Sequence, residues 1–209
     1  MKPLPNLQNP TPGPFRCIVA DPPWPYGTSK TGRWVIPKNA GEEHQRRVDQ
    51  MGYSTMDMKQ LLALPVRSLA HTTSHLYLWT TNAFLAEAHD LARAWGFSPK
   101  TMLTWGKVKA DGTPSMKTGY YFRGATEHCL FAVRGSQRLQ VKHGKPTLYL
   151  SGRLPHSQKP EWFYRLCEEC SPGPYLEMFA RRKRPGWASW GNEIANDIEL
   201  PATEPAPSN

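Results

Sequence analysis

The chain has 209 residues, 39% of them hydrophobic and 11% aromatic, which is enough for one domain with a real core and short for two. That composition excludes a disordered chain, and no apolar run approaches the roughly 20 residues needed to span a bilayer. A formal charge of +9, from 26 Lys and Arg against 17 Asp and Glu, suits an anionic polymer as partner, although a plain solvated surface gives the same count.

Residues 1–14 contain five prolines and almost no apolar side chains, and read as a proline-rich leader outside the core. Met1 to Pro5 lacks the apolar stretch of a signal peptide, so a cytoplasmic location is expected. The first strand follows. Cys17-Ile18-Val19-Ala20 is a short apolar run that stops at Asp21, and Pro22 and Pro23 behind it cannot continue a ladder because they offer no backbone N–H. Asp21 therefore stands at the carboxyl end of a strand, the edge at which open α/β sheets bind ligands. The two prolines stiffen the backbone, and Trp24 suits a flat, stackable ligand such as a nucleobase.

From Pro25 to Gly52 the chain has glycines and basic residues but no periodic apolar face, so this is a long loop, either a lid over the site or a plain insertion. Ser54 and Asp57 resemble a capping box opening a helix whose buried face is Met58, Leu61, Leu62 and Leu64, with Pro65 ending or bending it. His75 to Thr80 reads as a strand. Asn82 is expected to cap a helix carrying Phe84, Leu85, Ala88, Leu91, Ala92 and Trp95 as core, stopped by Gly96. Thr101 to Trp105 is a further strand, and 106–124 is a polar loop whose Lys107, Lys109, Lys117 and Arg123 either line a nucleic-acid groove or are simply solvated.

Strands are expected at Glu127 to Val133 and Thr147 to Leu150, with a turn at Lys142 to Lys145 between them. Pro160 fits the first position of a helix running to Cys170, ended by Ser171-Pro172-Gly173, with Trp162, Phe163 and Leu166 buried. Cys167 and Cys170 form a single C-x-x-C inside that helix; a zinc site wants four ligands, so these read as structural thiols and no metal is expected. Tyr175 to Phe179 is a strand, and the basic run at Arg181 to Arg184 beside it is either a solvated cluster or a ligand contact. The domain is taken as 15–195, with 196–209 as a flexible tail. Alternating strands and helices of these lengths imply a three-layer α/β fold with a mostly parallel sheet. There is no G-x-G-x-x-G, which argues against an ordinary dinucleotide site.

Asp21-Pro22-Pro23-Trp24 resembles the Asp-Pro-Pro-Trp signature of the MT-A70 family, S-adenosylmethionine-dependent methyltransferases acting on the N6 amino group of adenine. The resemblance continues in order through Gly52-Tyr53-Ser54-Thr55-Met56, Leu76-Tyr77-Leu78-Trp79-Thr80, Glu127-His128-Cys129-Leu130, His156-Ser157-Gln158-Lys159-Pro160, Glu177-Met178-Phe179-Ala180-Arg181 and Trp190-Gly191-Asn192-Glu193. It implies a class I methyltransferase (Rossmann-like) fold in permuted motif order, with the catalytic motif ahead of the cofactor strand.

On that resemblance Asp21, Pro22, Pro23 and Trp24 are the catalytic segment. Asp21 and the Pro22 carbonyl accept the two amino hydrogens of adenine, because a carboxylate and a C=O are both acceptors. Trp24 stacks on the base, with Tyr26 as a second wall. Asp21, Lys159, Glu177, Arg181, Asn192 and Glu193 form the implied S-adenosylmethionine site, with Lys159 on the methionine carboxylate, Asp21 near the sulfonium, Glu177 and Arg181 at the ribose or its surroundings, and Asn192 and Glu193 at the ribose hydroxyls or the adenine edge. The family's His-Asn pair after the arginine is replaced by Lys183-Arg184, so those contacts are not carried over. The implied partner is nucleic acid, DNA ahead of RNA, with a homodimer left open. The other readings are an RNA methyltransferase and a catalytically silent nucleic-acid-binding subunit.

Overall fold

A computed structural model of the chain describes residues 14–25, 55–117, 121–154 and 158–201. The leader through residue 13, Tyr26, nearly all of the expected 25–52 loop, Ser54, His156, Ser157 and residues from 202 onward lie outside the described residues.

The described strands are β1 (Phe15–Ala20), β2 (Ala70–Thr80), β3 (Ser98–Lys107), β4 (Thr126–Arg134), β5 (Leu148–Ser151), β6 (Tyr175–Met178) and β7 (Trp187–Trp190). They form one sheet in the order β5-β3-β4-β2-β1-β6-β7. β1 pairs in parallel with β2 and β6, β3 with β5, and β6 with β7, while β4 runs antiparallel to both of its neighbours. The helices are α1 (Met58–Leu62), α2 (Val66–Leu69), α3 (Leu85–Ala94) and α4 (Glu161–Cys170).

Successive strand side chains point to opposite faces, and this alternation builds two cores. Ile18 and Ala20 join Leu76, Leu78, Leu130, Leu176 and Met178 against Leu61 of α1, Val66 and Leu69 of α2 and Leu91 of α3. Cys17 and Val19 join Tyr77, Trp79, Trp105 and Cys129 against Phe163, Tyr164 and Cys167 of α4. Three layers result, with β1 buried on both faces at the centre. The chain leaves β1 for β2 on one side and returns through α4 to β6 on the other, so a crevice opens at the carboxyl end of β1.

Register places the chemistry on one edge. Ala20 lies opposite both Leu78 and Met178, and Met178 opposite Trp190, so β1, β2, β6 and β7 end together. Because β4 is reversed, its start shares that edge, with Glu127 opposite Trp105. Lys107, opposite Ser151, closes the row.

Several local expectations are corrected. The capping box at α1 belongs to Asp57 and Gln60: Gln60 N donates to Asp57 Oδ1 and Asp57 N to Gln60 Oε1, each at 2.8 Å. Leu62 is exposed, because so short a helix has Leu61 as its one buried position. Asn82 does not cap α3 but opens a 3-10 turn (Asn82–Phe84), and its Oδ1 pairs with His128 Nε2 at 2.7 Å. Gly96, at φ 85°, does end α3. β7 was not expected from sequence. Residues 196–200 are not a flexible tail. Ile198 is buried in the core, Asp197 N donates to Ser189 O at 2.9 Å, and the Asp197 carboxylate pairs with Lys183.

Candidate active site

The turn after β1 is closed by its own backbone. Trp24 N donates to Pro22 O at 2.8 Å, and Met56 N to Pro23 O at 2.9 Å. Trp24 is 3% exposed; its Nε1 donates to Trp79 O at 3.1 Å and its ring stacks on Phe84 at 5.3 Å and 12°. The expectation that Trp24 offers a face to a substrate ring is therefore corrected, since its neighbours in the core already occupy it. Trp24 is the plug that holds the Pro22-Pro23 corner rigid, leaving Asp21 at the tip. The Pro22 carbonyl has one lone pair engaged by Trp24 N and a second remaining.

Asp21 has the alternation of Cys17 and Val19, which directs it to the α4 face. Lys159, just before α4, meets it there: Lys159 Nζ lies 2.8 Å from Asp21 Oδ2 and 3.2 Å from Glu127 Oε2. Lys107 Nζ takes the other Glu127 oxygen. Each ammonium also lies over an indole, Lys159 at 4.6 Å from the Trp79 ring and Lys107 at 4.4 Å from the Trp105 ring. The Lys159 side chain is 10% exposed and that of Asp21 35%, so the chain alternates buried cations with partly open carboxylates. Burial alone would lower the Lys159 pKa, but Asp21 and Glu127 outweigh it and raise it. Burial alone would likewise raise that of Glu127, but Lys159 and Lys107 bring it below the usual carboxylate range. Both groups are thus held charged.

The start of α4, and with it Lys159, is pinned from two sides. Trp162 stacks on Tyr149 at 4.3 Å and donates to Ser151 Oγ at 3.2 Å. Arg184 makes two 2.8 Å bonds to the Glu161 carboxylate and lies 3.6 Å over the Tyr164 ring. Pro160 takes the N-cap, one position before the expected one.

Glu177, opposite Val19 on β6, also faces α4, where its Oε1 accepts from Tyr164 OH at 2.6 Å. Burial raises the Glu177 pKa, the Tyr164 hydrogen bond opposing it. Beyond β6 the chain is in an unusual conformation: Phe179 has φ 62°, a region costly for an aromatic residue, and its ring packs on Trp190. Ala180 N then donates to Trp190 O at 2.9 Å. Gly191 makes this approach feasible, because a Cβ there would stand 2.0 Å from Ala180 O. Arg181 lies 3.5 Å from Glu193, and Asn192 is exposed beside it. In the basic run, Arg184 and Lys183 are engaged by Glu161 and Asp197, which accounts for them as ties between segments.

Thus Asp21 and Lys159 are joined directly, and Glu177, Arg181, Asn192 and Glu193 follow along the ends of β6 and β7 on the same edge. Tyr26 lies outside the described residues. Glu127 had no sequence-based role in the site, although it opens one of the resembling segments, and Lys107, expected in a nucleic-acid groove or in solvent, is instead buried and paired with Glu127. The donor set, a carboxylate, an amide and an ammonium beside a cleft where a glycine lets two segments touch, fits a ligand with a diol and an amino-acid end.

A family model described as MT-A70 matches residues 15–193. The chain belongs to the MT-A70 family. A Type II methyltransferase, M.MunI, from a Mycoplasma species is 29% identical over 205 residues, covering 90% of this chain and 81% of that protein. A putative N(6)-adenosine-methyltransferase MT-A70-like protein of Medicago truncatula is 26% identical over 190 residues, 88% of this chain and 27% of its own length. The human N(6)-adenosine-methyltransferase catalytic subunit METTL3 is 25% identical over 195 residues, 87% of this chain and 28% of its own. The chain thus spans most of the bacterial relative and about a quarter of these two eukaryotic ones. As an MT-A70 protein it is an S-adenosylmethionine-dependent methyltransferase acting on the N6 of adenine.

Proposed function

We propose that this chain methylates the N6 amino group of adenine in DNA, with Asp21 as the catalytic acceptor. The observation that carries the reading is the Asp21 to Lys159 contact of 2.8 Å at the tip of the central strand. It fixes Oδ2 and leaves Oδ1 as the acceptor for an amino hydrogen. The second lone pair of the Pro22 carbonyl takes the other hydrogen, so the two acceptors orient N6, whose own lone pair is delocalised into the ring. When bound, S-adenosylmethionine would supply the methyl group from its sulfonium, the electron pair of the C–S bond remaining on sulfur. Asp21 Oδ1 takes the proton that the methylated nitrogen sheds. Trp24 acts as a positioning residue for this corner. Most of the acceleration comes from orientation of two bound reactants.

Two Lys159 donors are engaged by Asp21 and Glu127, and we assign the third to the methionine carboxylate. Glu177 is assigned to the ribose hydroxyls, Arg181 to their surroundings, and Asn192 and Glu193 to the ribose or adenine edge. A stacked base cannot reach such a corner, so the adenine is single-stranded or flipped out.

DNA is favoured over RNA because M.MunI, matched over most of both lengths, is named a Type II methyltransferase, whereas the Medicago protein and METTL3, named for N(6)-adenosine methylation, are matched over only about a quarter of theirs. Incubation with labelled S-adenosylmethionine and matched DNA and RNA oligonucleotides tests the choice. Label in DNA is expected; label confined to RNA reverses it, and none in either favours a silent subunit.

A further inference from the structure

The segment joining β3 to β4 leaves and re-enters the sheet on the edge that carries Asp21, Glu127 and Lys159. Its base is tied down by backbone hydrogen bonds, Lys107 N to Ala125 O and Ser115 N to Lys107 O at 2.7 Å, and Lys117 N to Gly124 O at 2.8 Å. Arg153, from beyond β5, donates to Ser115 O at 2.8 Å and so borders the same segment. Past this closure two adjacent aromatic side chains stand in solvent, Tyr121 at 88% and Phe122 at 92% exposure. Single exposed apolar residues are ordinary, but two neighbouring rings as exposed as these at an active edge mark a contact surface.

The segment that carries them bears charge of one sign. Between Asp111 and Glu127 the sequence carries Lys117 and Arg123 and no acid, and Arg153 adds a third cation. Lys117 also shares the electrostatic environment of the catalytic network: burial lowers its pKa, and so do Lys107, Arg153 and Lys159, against Glu127. Exposed rings among cations suit a nucleic-acid strand, whose phosphates meet the cations while its bases meet the rings.

Resting on the reading that the site methylates adenine in a nucleic acid, we propose that Tyr121 and Phe122 form a stacking wedge for a base next to the target adenine. Lys117, Arg123 and Arg153 hold the adjoining phosphates. Stacking of this kind tolerates any base, because every base has a π face. The wedge therefore positions the strand without setting a recognition sequence.

The test compares wild type, Tyr121→Ala/Phe122→Ala and Phe122→Trp in steady-state methylation of a DNA oligonucleotide containing a single adenine. A second oligonucleotide carries 2-aminopurine beside that adenine, as a fluorescent reporter of stacking. The double variant is expected to raise KM for the oligonucleotide by about tenfold or more, with kcat and S-adenosylhomocysteine affinity near wild type. It is also expected to lose the quenching of 2-aminopurine seen with wild type, while Phe122→Trp keeps both properties. Unchanged KM and unchanged quenching in the double variant overturn the wedge. So does unchanged KM accompanied by conversion of a wild-type dimer to a monomer in sedimentation, which would make the surface a protein interface. Failure of wild type to label any oligonucleotide instead defeats the preceding reading, and this proposal with it.

Discussion

Replacing Lys159 by Met keeps the length of the side chain and removes the cation that sits between two carboxylates. Breaking a buried pair by deleting one partner typically costs about 3–5 kcal/mol. Here Asp21 is partly open to water and Glu127 retains Lys107, so the expected loss at neutral pH is nearer 2–3 kcal/mol. For a domain of this size that lowers Tm by about 4–12 °C. The loss should depend on pH in a defined direction. Lys159 and Lys107 hold the folded-state pKa of Glu127 below its unfolded value, so its contribution is present at neutral pH and is lost as pH falls through that folded pKa. Without Lys159, Glu127 takes up a proton sooner. Thermal melts of both proteins without ligand should therefore differ fully at about pH 7.5 and by less at a pH below the folded-state pKa of Glu127, which lies under its unfolded value. An equal gap at the two pH values, or none at neutral pH, would refute the network.

Gly191→Ala forces a Cβ against the Ala180 backbone, and should cost about 2 kcal/mol or more in stability while weakening S-adenosylhomocysteine binding, read by melting and calorimetry. Unchanged binding would separate the β6 and β7 ends from the cofactor. Tyr164→Phe removes the hydrogen bond that stabilises the Glu177 carboxylate, so the Glu177 pKa should rise further and S-adenosylhomocysteine affinity should fall as pH is lowered through it. Titrations that fall off with pH identically in wild type and variant would remove Glu177 from the ribose.

What the sequence disclosed and what it withheld differ by distance along the chain. β1 and its acidic tip were legible because an apolar run and two prolines are adjacent in sequence, and the core helix ending at Gly96 because its period is local. The role of Trp24 was not, since its plug depends on Trp79 and Phe84, which lie many residues away and reach it only through tertiary packing. Glu127 and Lys107 escaped for a similar reason: the register of β3 on β4 brings them together, and no spacing in either segment announces it. β7 is four residues long and follows a basic stretch, too short for an alternation to stand out. Asn82 carried a good capping side chain, but His128 on β4 competes for its oxygen.

The central claim is that the carboxylate at the tip of β1 orients the amino nitrogen that receives the methyl group. It is tested most directly by transferring label from S-adenosylmethionine to an adenine-bearing oligonucleotide with wild type and Asp21→Ala, and locating the label by mass spectrometry of the digested product. Thermal stabilisation by S-adenosylhomocysteine, measured in parallel, reports whether the variant still folds and binds cofactor. Label on N6 with wild type, and none with a cofactor-binding Asp21→Ala, is the predicted result; turnover that survives the substitution, or label on another atom, would contradict the account.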